Sequence, residues 1–219
     1  MKSFRHELKY VINSYQIEIL KNNLKSIMKL DSNSKNEQGY FIRSLYFDDY
    51  KDTSYYQVVN GISKREKYRI RFYDMNKNYI VFEKKNKENN LGYKDQVVIK
   101  EKDIDNIFNG IYPSIYENDL KINYYKPKII VDYYRLAYIY EPLNIRITID
   151  SNISCSSNLN LFDDSINQIP ILEKNKAILE VKYDDVLPYF IKQIIMINNL
   201  ELTSFSKYAN AREVIKKVR

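Results

Sequence analysis

Residues 64–71 read Lys-Arg-Glu-Lys-Tyr-Arg-Ile-Arg, and the fold turns on what this stretch is. Tyr68, Ile70 and Phe72, with turn residues nearby, mark it as a β-strand, whose side chains alternate between two faces. Arg65, Lys67, Arg69 and Arg71 then share one face, at rungs about 6–7 Å apart. The opposite face carries Tyr68, Ile70 and Phe72 and is apolar enough to pack on a core. Taken alone, such a strand could be a solvated edge carrying cations against aggregation. The pattern recurs, however, at Glu7/Lys9, Glu83/Lys85/Lys87, Tyr133/Arg135, Arg146/Thr148/Asp150 and Glu180/Lys182. Solubility requires no such repetition, whereas a closed barrel with a polar interior produces it on strand after strand. The expectation is a tunnel lined by ions.

At 219 residues the chain is long enough for a full core, and residues 1–219 are expected to form one domain. A net charge of +7 points to an anionic partner: nucleic acid, a phosphate compound or an acidic membrane surface. The 22 tyrosines and the absence of tryptophan read as compositional bias, so tyrosine number alone does not argue for base stacking. A single Cys155 excludes an intramolecular disulfide, and a single His6 excludes a histidine-rich metal site. The N-terminus lacks the apolar core of a signal peptide, and no run approaches the ~20 apolar residues of a membrane span. The chain therefore reads as soluble and cytoplasmic.

Along the chain, Phe4 to Ile12 is a first strand, and Asn13 or Ser14 caps a helix expected to run to about Leu30. Tyr40 to Asp48 is a second strand, followed by a short polar and aromatic segment and the turn signal Asn60-Gly61. After the basic strand come Tyr79 to Lys87, a strand-like run from Lys94 to Lys100 and a short helix from Ile104 to Ile111. Lys128 to Tyr140 and Leu143 to Ile149 form two strands broken by Glu141-Pro142. Asn152 to Pro170 reads as a long excursion. Ala177 to Tyr183 is a strand, Pro188 starts a helix to about Ile197, and Ala209 to Val218 is a final amphipathic helix.

Four glycines and no matching spacing exclude a P-loop or Rossmann phosphate cradle, and no nucleophile stands beside a recognisable base. Many cations with a few carboxylates on strand faces suit phosphoryl transfer, where catalysis is mostly positioning and charge stabilisation. Lysine and arginine hold phosphate oxygens, and carboxylates hold the divalent metal that bridges them. Glu180 is the leading metal candidate, with Glu83 and Glu7 next. Each glutamate can equally be a salt-bridge partner of a neighbouring lysine.

The residues also carry a family resemblance. Arg-His-Glu-Leu-Lys-Tyr at 5–10, Ser-Leu-Tyr-Phe-Asp at 44–48, Lys-Tyr-Arg-Ile-Arg-Phe-Tyr at 67–73, Phe-Glu-Lys-Lys-Asn-Lys at 82–87, Tyr-Tyr-Arg at 133–135, Arg-Ile-Thr-Ile-Asp at 146–150, Leu-Glu-Val-Lys-Tyr at 179–183 and Ser-Phe-Ser-Lys-Tyr at 204–208 occur in order. Together they resemble the VTC domain, the polyphosphate polymerase branch of the CYTH-like triphosphate tunnel metalloenzymes. The resemblance implies an α+β fold: an antiparallel eight-stranded β-barrel tunnel with flanking helices. It implies an enzyme that takes ATP and Mn2+ or Mg2+ and transfers the γ-phosphoryl group to growing inorganic polyphosphate. Lys9, Arg69, Arg71, Lys85, Lys94, Arg135, Arg146 and Lys207 would contact phosphate, with the four arginines at the reacting groups, and Glu180 would hold the metal. Strand parity or neighbourhood adds Lys67, Lys182 and Arg43 to the substrate-binding set. Arg5 stands where the wider superfamily's Glu-x-Glu-x-Lys signature has its first glutamate, which fits the polymerase branch better than a two-metal triphosphatase.

The alternatives are a metal-dependent hydrolase of tripolyphosphate or nucleoside triphosphates, a non-catalytic polyphosphate-binding module and a nucleic-acid binder. Inward-facing cations argue against the last, since a duplex could not enter so small a barrel. Any membrane coupling would require a partner protein.

Overall fold

The alternating segments become strands in the computed structural model, which describes residues 5–34, 36–89, 91–196 and 200–218. The strands are β1 (Arg5–Asn13), β2 (Lys29–Leu30), β3 (Tyr40–Asp48), β4 (Lys64–Tyr73), β5 (Ile80–Glu88), β6 (Leu91–Ile99), β7 (Lys126–Tyr140), β8 (Ile145–Ser156), β9 (Ile169–Pro170) and β10 (Lys176–Tyr183). The helices are α1 (Ser14–Lys25), α2 (Thr53–Val59), α3 (Asp103–Phe108), α4 (Ser114–Ile122), α5 (Tyr189–Met196) and α6 (Lys207–Val218). The strand order is β2-β7-β3-β4-β5-β6-β1-β10-β8-β9, and β7 also pairs with β8. That extra pairing turns the run from β7 round to β8 into a ring of antiparallel strands, with β2 and β9 as short additions at its margin. Among the described residues β6 and β1 meet only through Arg5↔Gly92 and His6↔Leu91, so this is the ring's shortest seam.

Period-two alternation decides what lies inside. The outward residues of β3, β4 and β5, among them Leu45, Tyr68, Ile70, Phe72 and Phe82, pack with Ile104 and Ile107 of α3 and Tyr116 and Leu120 of α4. Outward residues of β7, β8 and β10 form a second core with Leu20 and Leu24 of α1 and Ile191 and Ile195 of α5. A third cluster uses inward positions, bringing Tyr46, Tyr133 and Ile178 against Phe205, Tyr208 and Ala211. The ring thus has apolar outer packing, a polar bore and α6 docked toward one end.

Several local expectations change for physical reasons. Asn13 does cap α1, through a reciprocal pair in which Gln16 N donates to Asn13 Oδ1 and Asn13 N to Gln16 Oε1, each at 2.9 Å. The helix stops at Lys25 because Lys29 and Leu30 are taken up by pairing with Ile139 and Tyr138 of β7. The segment before Asn60-Gly61 is the helix α2, anchored by the buried Asp48. Its carboxylate accepts from the backbone amides of Asp49, Ser54 and Tyr55 at 2.9–3.0 Å and from the Tyr208 hydroxyl at 2.5 Å. Asn60-Gly61 is the expected turn, and it closes this helix, with Gly61 at φ +65°. The strand β8 runs on to Ser156, since Ile153 and Cys155 join the third cluster, so the excursion starts later than Asn152. The helix α4 gives no clear signal in its sequence. Ile197, the expected end of α5, lies outside the described residues.

Candidate phosphate tunnel

The basic strand sets the wall. Its inward residues Arg65, Lys67, Arg69 and Arg71 lie beside Lys85 and Lys87 of β5 through the register Lys67↔Lys85 and Arg65↔Lys87. Two cavities, of about 780 Å³ and 410 Å³, share Glu7, Arg69, Arg71, Lys85, Arg135 and Lys182 in their linings. They are the two ends of one bore. Lys94 and Arg146 line the wider end, and Lys9, Lys67, Lys207 and Glu180 the narrower. Strand parity thus brings nearly all the expected phosphate ligands together.

Arg43 is the correction. It lies between the inward residues Ile42 and Ser44, so its side chain leaves the bore and is buried outside it. It donates to Asp132 at 2.8–3.2 Å and to the carbonyls of Leu161 and Asp163 at 3.2 and 2.5 Å. That pairing pins the 157–168 segment to the ring and leaves no cation for substrate.

The carboxylates divide into two roles. Glu83 is fully buried, lies 2.5 Å from Arg69 and 3.3 Å from Lys94, and lines neither cavity. Burial opposes its charge, but Arg69, Arg71 and Lys94 outweigh burial and hold it far below the usual carboxylate range. It fixes the arginines and is separate from the other two metal candidates. Glu7 and Glu180 do come together, at 2.9 and 3.8 Å from the same Lys9 ammonium. Glu7 also pairs with Lys85 at 2.9 Å, and Glu180 with Lys182. Burial, and for Glu180 the charge of Glu7, would raise both acids, yet the surrounding lysines keep both well below their usual range.

These two carboxylates fit a hard dication. Among the described residues no three His, Cys, Asp or Glu side chains gather as a metal-binding group, so substrate oxygens would have to complete the coordination, as is common for Mg2+. Among the described residues the Thr148 hydroxyl, register partner of Glu180, is buried with no hydrogen-bond partner.

The structure also supplies braces that composition did not reveal. Arg71 donates to Ser44 Oγ at 3.1 Å and Tyr133 OH at 2.8 Å, and Arg69 to Tyr46 OH at 3.2 Å. Arg135 grips the buried Asp150 with two bonds of 2.7 and 2.8 Å, and Lys207 reaches the same carboxylate at 2.6 Å. Arg146 is held by Asp31 at 2.6 Å and Tyr40 OH at 3.1 Å. Lys67 donates to Ser206 Oγ at 2.8 Å. Period two on β3 could have found Ser44 and Tyr46, whereas Asp31 sits in a turn whose place at the mouth only the fold decides. Gly39 ends that loop at φ +79°, where a Cβ would lie 2.2 Å from the Arg135 carbonyl oxygen.

Comparison with known proteins now identifies the family. A family model described as VTC domain matches residues 4–216. The chain belongs to the VTC domain family. No curated protein matches this VTC domain by sequence. Among solved structures it is similar to the Hippeastrum protein HpAC1, a candidate adenylyl cyclase described as revealing a dominant triphosphatase activity, with 13% identity, 97% and 96% of the two chains covered and a TM-score of 0.56. It is also similar to candidate adenylate cyclases from Bacillus halodurans, with 13% identity, 94% and 95% coverage and a TM-score of 0.56, and from Vibrio parahaemolyticus, with 13% identity, 96% and 98% coverage and a TM-score of 0.54. At that identity the likeness is one of fold. Among the described residues no helix is long and apolar enough to cross a membrane.

The crowding of lysines in the bore links binding to protons. Burial, then the charges of Lys9, Lys85 and Arg65, drive Lys67 well below its usual 10.5, and burial lowers Lys182 to about 8 despite Glu180 and Glu7. Unfolded lysines hold protons that these two release in the folded protein, so their contribution to stability increases as pH rises through the window below 10.5. A polyanion in the bore favours the charged lysines and reverses the shift. Tripolyphosphate binding at pH 9 is therefore expected to take up protons and to weaken as pH rises from 7 to 9. Titration calorimetry in two buffers of different ionisation enthalpy measures this; proton release on binding would contradict it.

Proposed function

We propose that this VTC domain is an ATP-dependent polyphosphate polymerase, transferring the γ-phosphoryl group of ATP to the end of a polyphosphate chain. The observation that carries the reading is the bore itself, with two mouths and inward cations along its length. A linear polyanion satisfies both features. At an effective dielectric of ~20, like charges about 4 Å apart repel by ~4 kcal/mol, so a bore this basic is most stable when filled by anions.

Arg69, Arg71 and Arg135, common to both ends, hold the phosphates around the reacting group. Lys85 and Lys182 flank them, Lys94 and Arg146 extend the grip toward the wide end, and Lys9, Lys67 and Lys207 extend it toward the narrow one. A terminal phosphate oxygen of the acceptor forms the new P–O bond while the bond between the γ-phosphorus and the bridging oxygen breaks, and ADP leaves. The arginines stabilise charge spread over the transferring oxygens. A divalent cation, Mn2+ or Mg2+, would be held by Glu180 and Glu7 and would neutralise phosphate charge when bound. Aligning that acceptor demands positioning and charge, which the bore supplies.

The second reading, hydrolysis of triphosphates, is favoured by the triphosphatase activity described for the Hippeastrum relative. Incubating the protein with ATP and Mn2+ and resolving the products separates the two. A polymer digested by exopolyphosphatase is expected, and its absence alongside ATP consumption would defeat the polymerase reading.

A further inference from the structure

The two mouths differ in chemistry. Beyond the shared residues, the narrow end is lined by Lys9, Arg65, Lys67, Lys87 and Lys207. Its tyrosine hydroxyls are committed: Tyr46 accepts from Arg69, Tyr133 from Arg71, and Tyr208 donates to Asp48. The wide end brings Tyr40, whose hydroxyl accepts from Arg146, to the lining together with Tyr73, Tyr79 and Tyr93, and its outer cations are Arg5, Lys94 and Arg146. The inward row of β4 therefore changes character one rung beyond Arg71, where Tyr73 follows at the next inward position about 6–7 Å on. Tyr73 packs against Tyr40 at 5.9 Å and stacks with Tyr79 at 6.3 Å and 24° between planes. Tyr79 remains 46% exposed, which leaves ring surface of that stack open to the mouth.

A nucleoside triphosphate has the same order of parts, a run of charge ending in a π-face. We infer that the tyrosine-lined mouth is a nucleoside subsite, in which the donor's base stacks on the outer face of Tyr79 while its triphosphate runs inward along Arg71 and Arg69. The inference rests on the reading of the bore as a nucleotide-using phosphotransferase. The cavity of about 780 Å³ at this end is of the size that holds a nucleotide, while the narrow end suits bare phosphate. Stacking accepts any base, so ATP and GTP should bind alike. Tyrosine placement, more than tyrosine number, is then what the protein uses.

Calorimetric titration of ATP and inorganic tripolyphosphate into wild type, Tyr79→Ala, Tyr79→Leu and Tyr79→Phe tests the subsite. Losing the stack should weaken ATP about tenfold in the Ala and Leu variants, leave Phe near wild type and leave tripolyphosphate unchanged throughout. The Leu variant keeps apolar bulk, so a shared loss cannot be assigned to unfolding when tripolyphosphate still binds. Equal loss of both ligands, or no loss of ATP, overturns the subsite. A wild type that binds tripolyphosphate but not ATP also overturns it, while a wild type that binds neither defeats the functional reading and the subsite with it.

Discussion

Replacing Glu180 by glutamine is expected to reduce metal-dependent turnover by about 100-fold or more, because it removes a charged oxygen ligand and nearly preserves volume. The structure adds a stability consequence that the isolated motif conceals. Glu180 pairs with Lys182 and lies near Lys9, so the variant leaves buried cations uncompensated and should melt several degrees lower at pH 7. Raising the pH should recover part of that loss, since Lys182, already lowered to about 8 beside Glu180, sheds its proton more readily without the carboxylate. Turnover and melting temperature measured together separate the effects. A Glu180→Gln protein with full activity would place the metal elsewhere.

Replacing Arg71 by methionine is expected to lower polymer formation by about 10²–10³-fold, the scale for removing one preorganised stabiliser of transition-state charge. Arg71 is the more informative arginine because its close partners, Ser44 and Tyr133, are neutral, and the Glu83 carboxylate is 3.9 Å away. Nearby Arg69 repels it, so its loss should change stability little. Arg135 behaves otherwise. Its two bonds to the fully buried Asp150 mean that Arg135→Ala strands a carboxylate with Lys207 alone and should cost about 3–5 kcal/mol, in contrast to a cation that merely repels its neighbours. Initial rates with unfolding curves for both variants check this; an active Arg71→Met protein would remove Arg71 from the machinery.

Much of this was legible because period-two alternation is read directly from sequence. Lys67, Arg69 and Arg71 must face together if β4 is a strand, and the same parity on β1, β5, β7, β8 and β10 puts Lys9, Lys85, Arg135, Arg146 and Glu180 around one bore. The method fails where neighbourhood replaces parity, as at Arg43, whose position between Ile42 and Ser44 already assigned it to the outer face. Partners brought in by tertiary contact were also illegible. Asp150 as a clamp on Arg135 and Lys207, Asp31 on Arg146, and Asp48 as the anchor joining α2 to Tyr208 require the ring to close first. Glu83 shared parity with true bore residues, but only the packing shows it buried under Arg69 and Lys94.

The most direct test of polymer synthesis in the bore is a ³¹P NMR time course with ATP, Mg2+ and a short polyphosphate primer. Internal-chain phosphate should accumulate one for one with ADP from the first turnovers, with little orthophosphate. Orthophosphate appearing one for one with ADP, and no growth of internal-chain signal, would contradict the polymerase and identify the bore as a hydrolase.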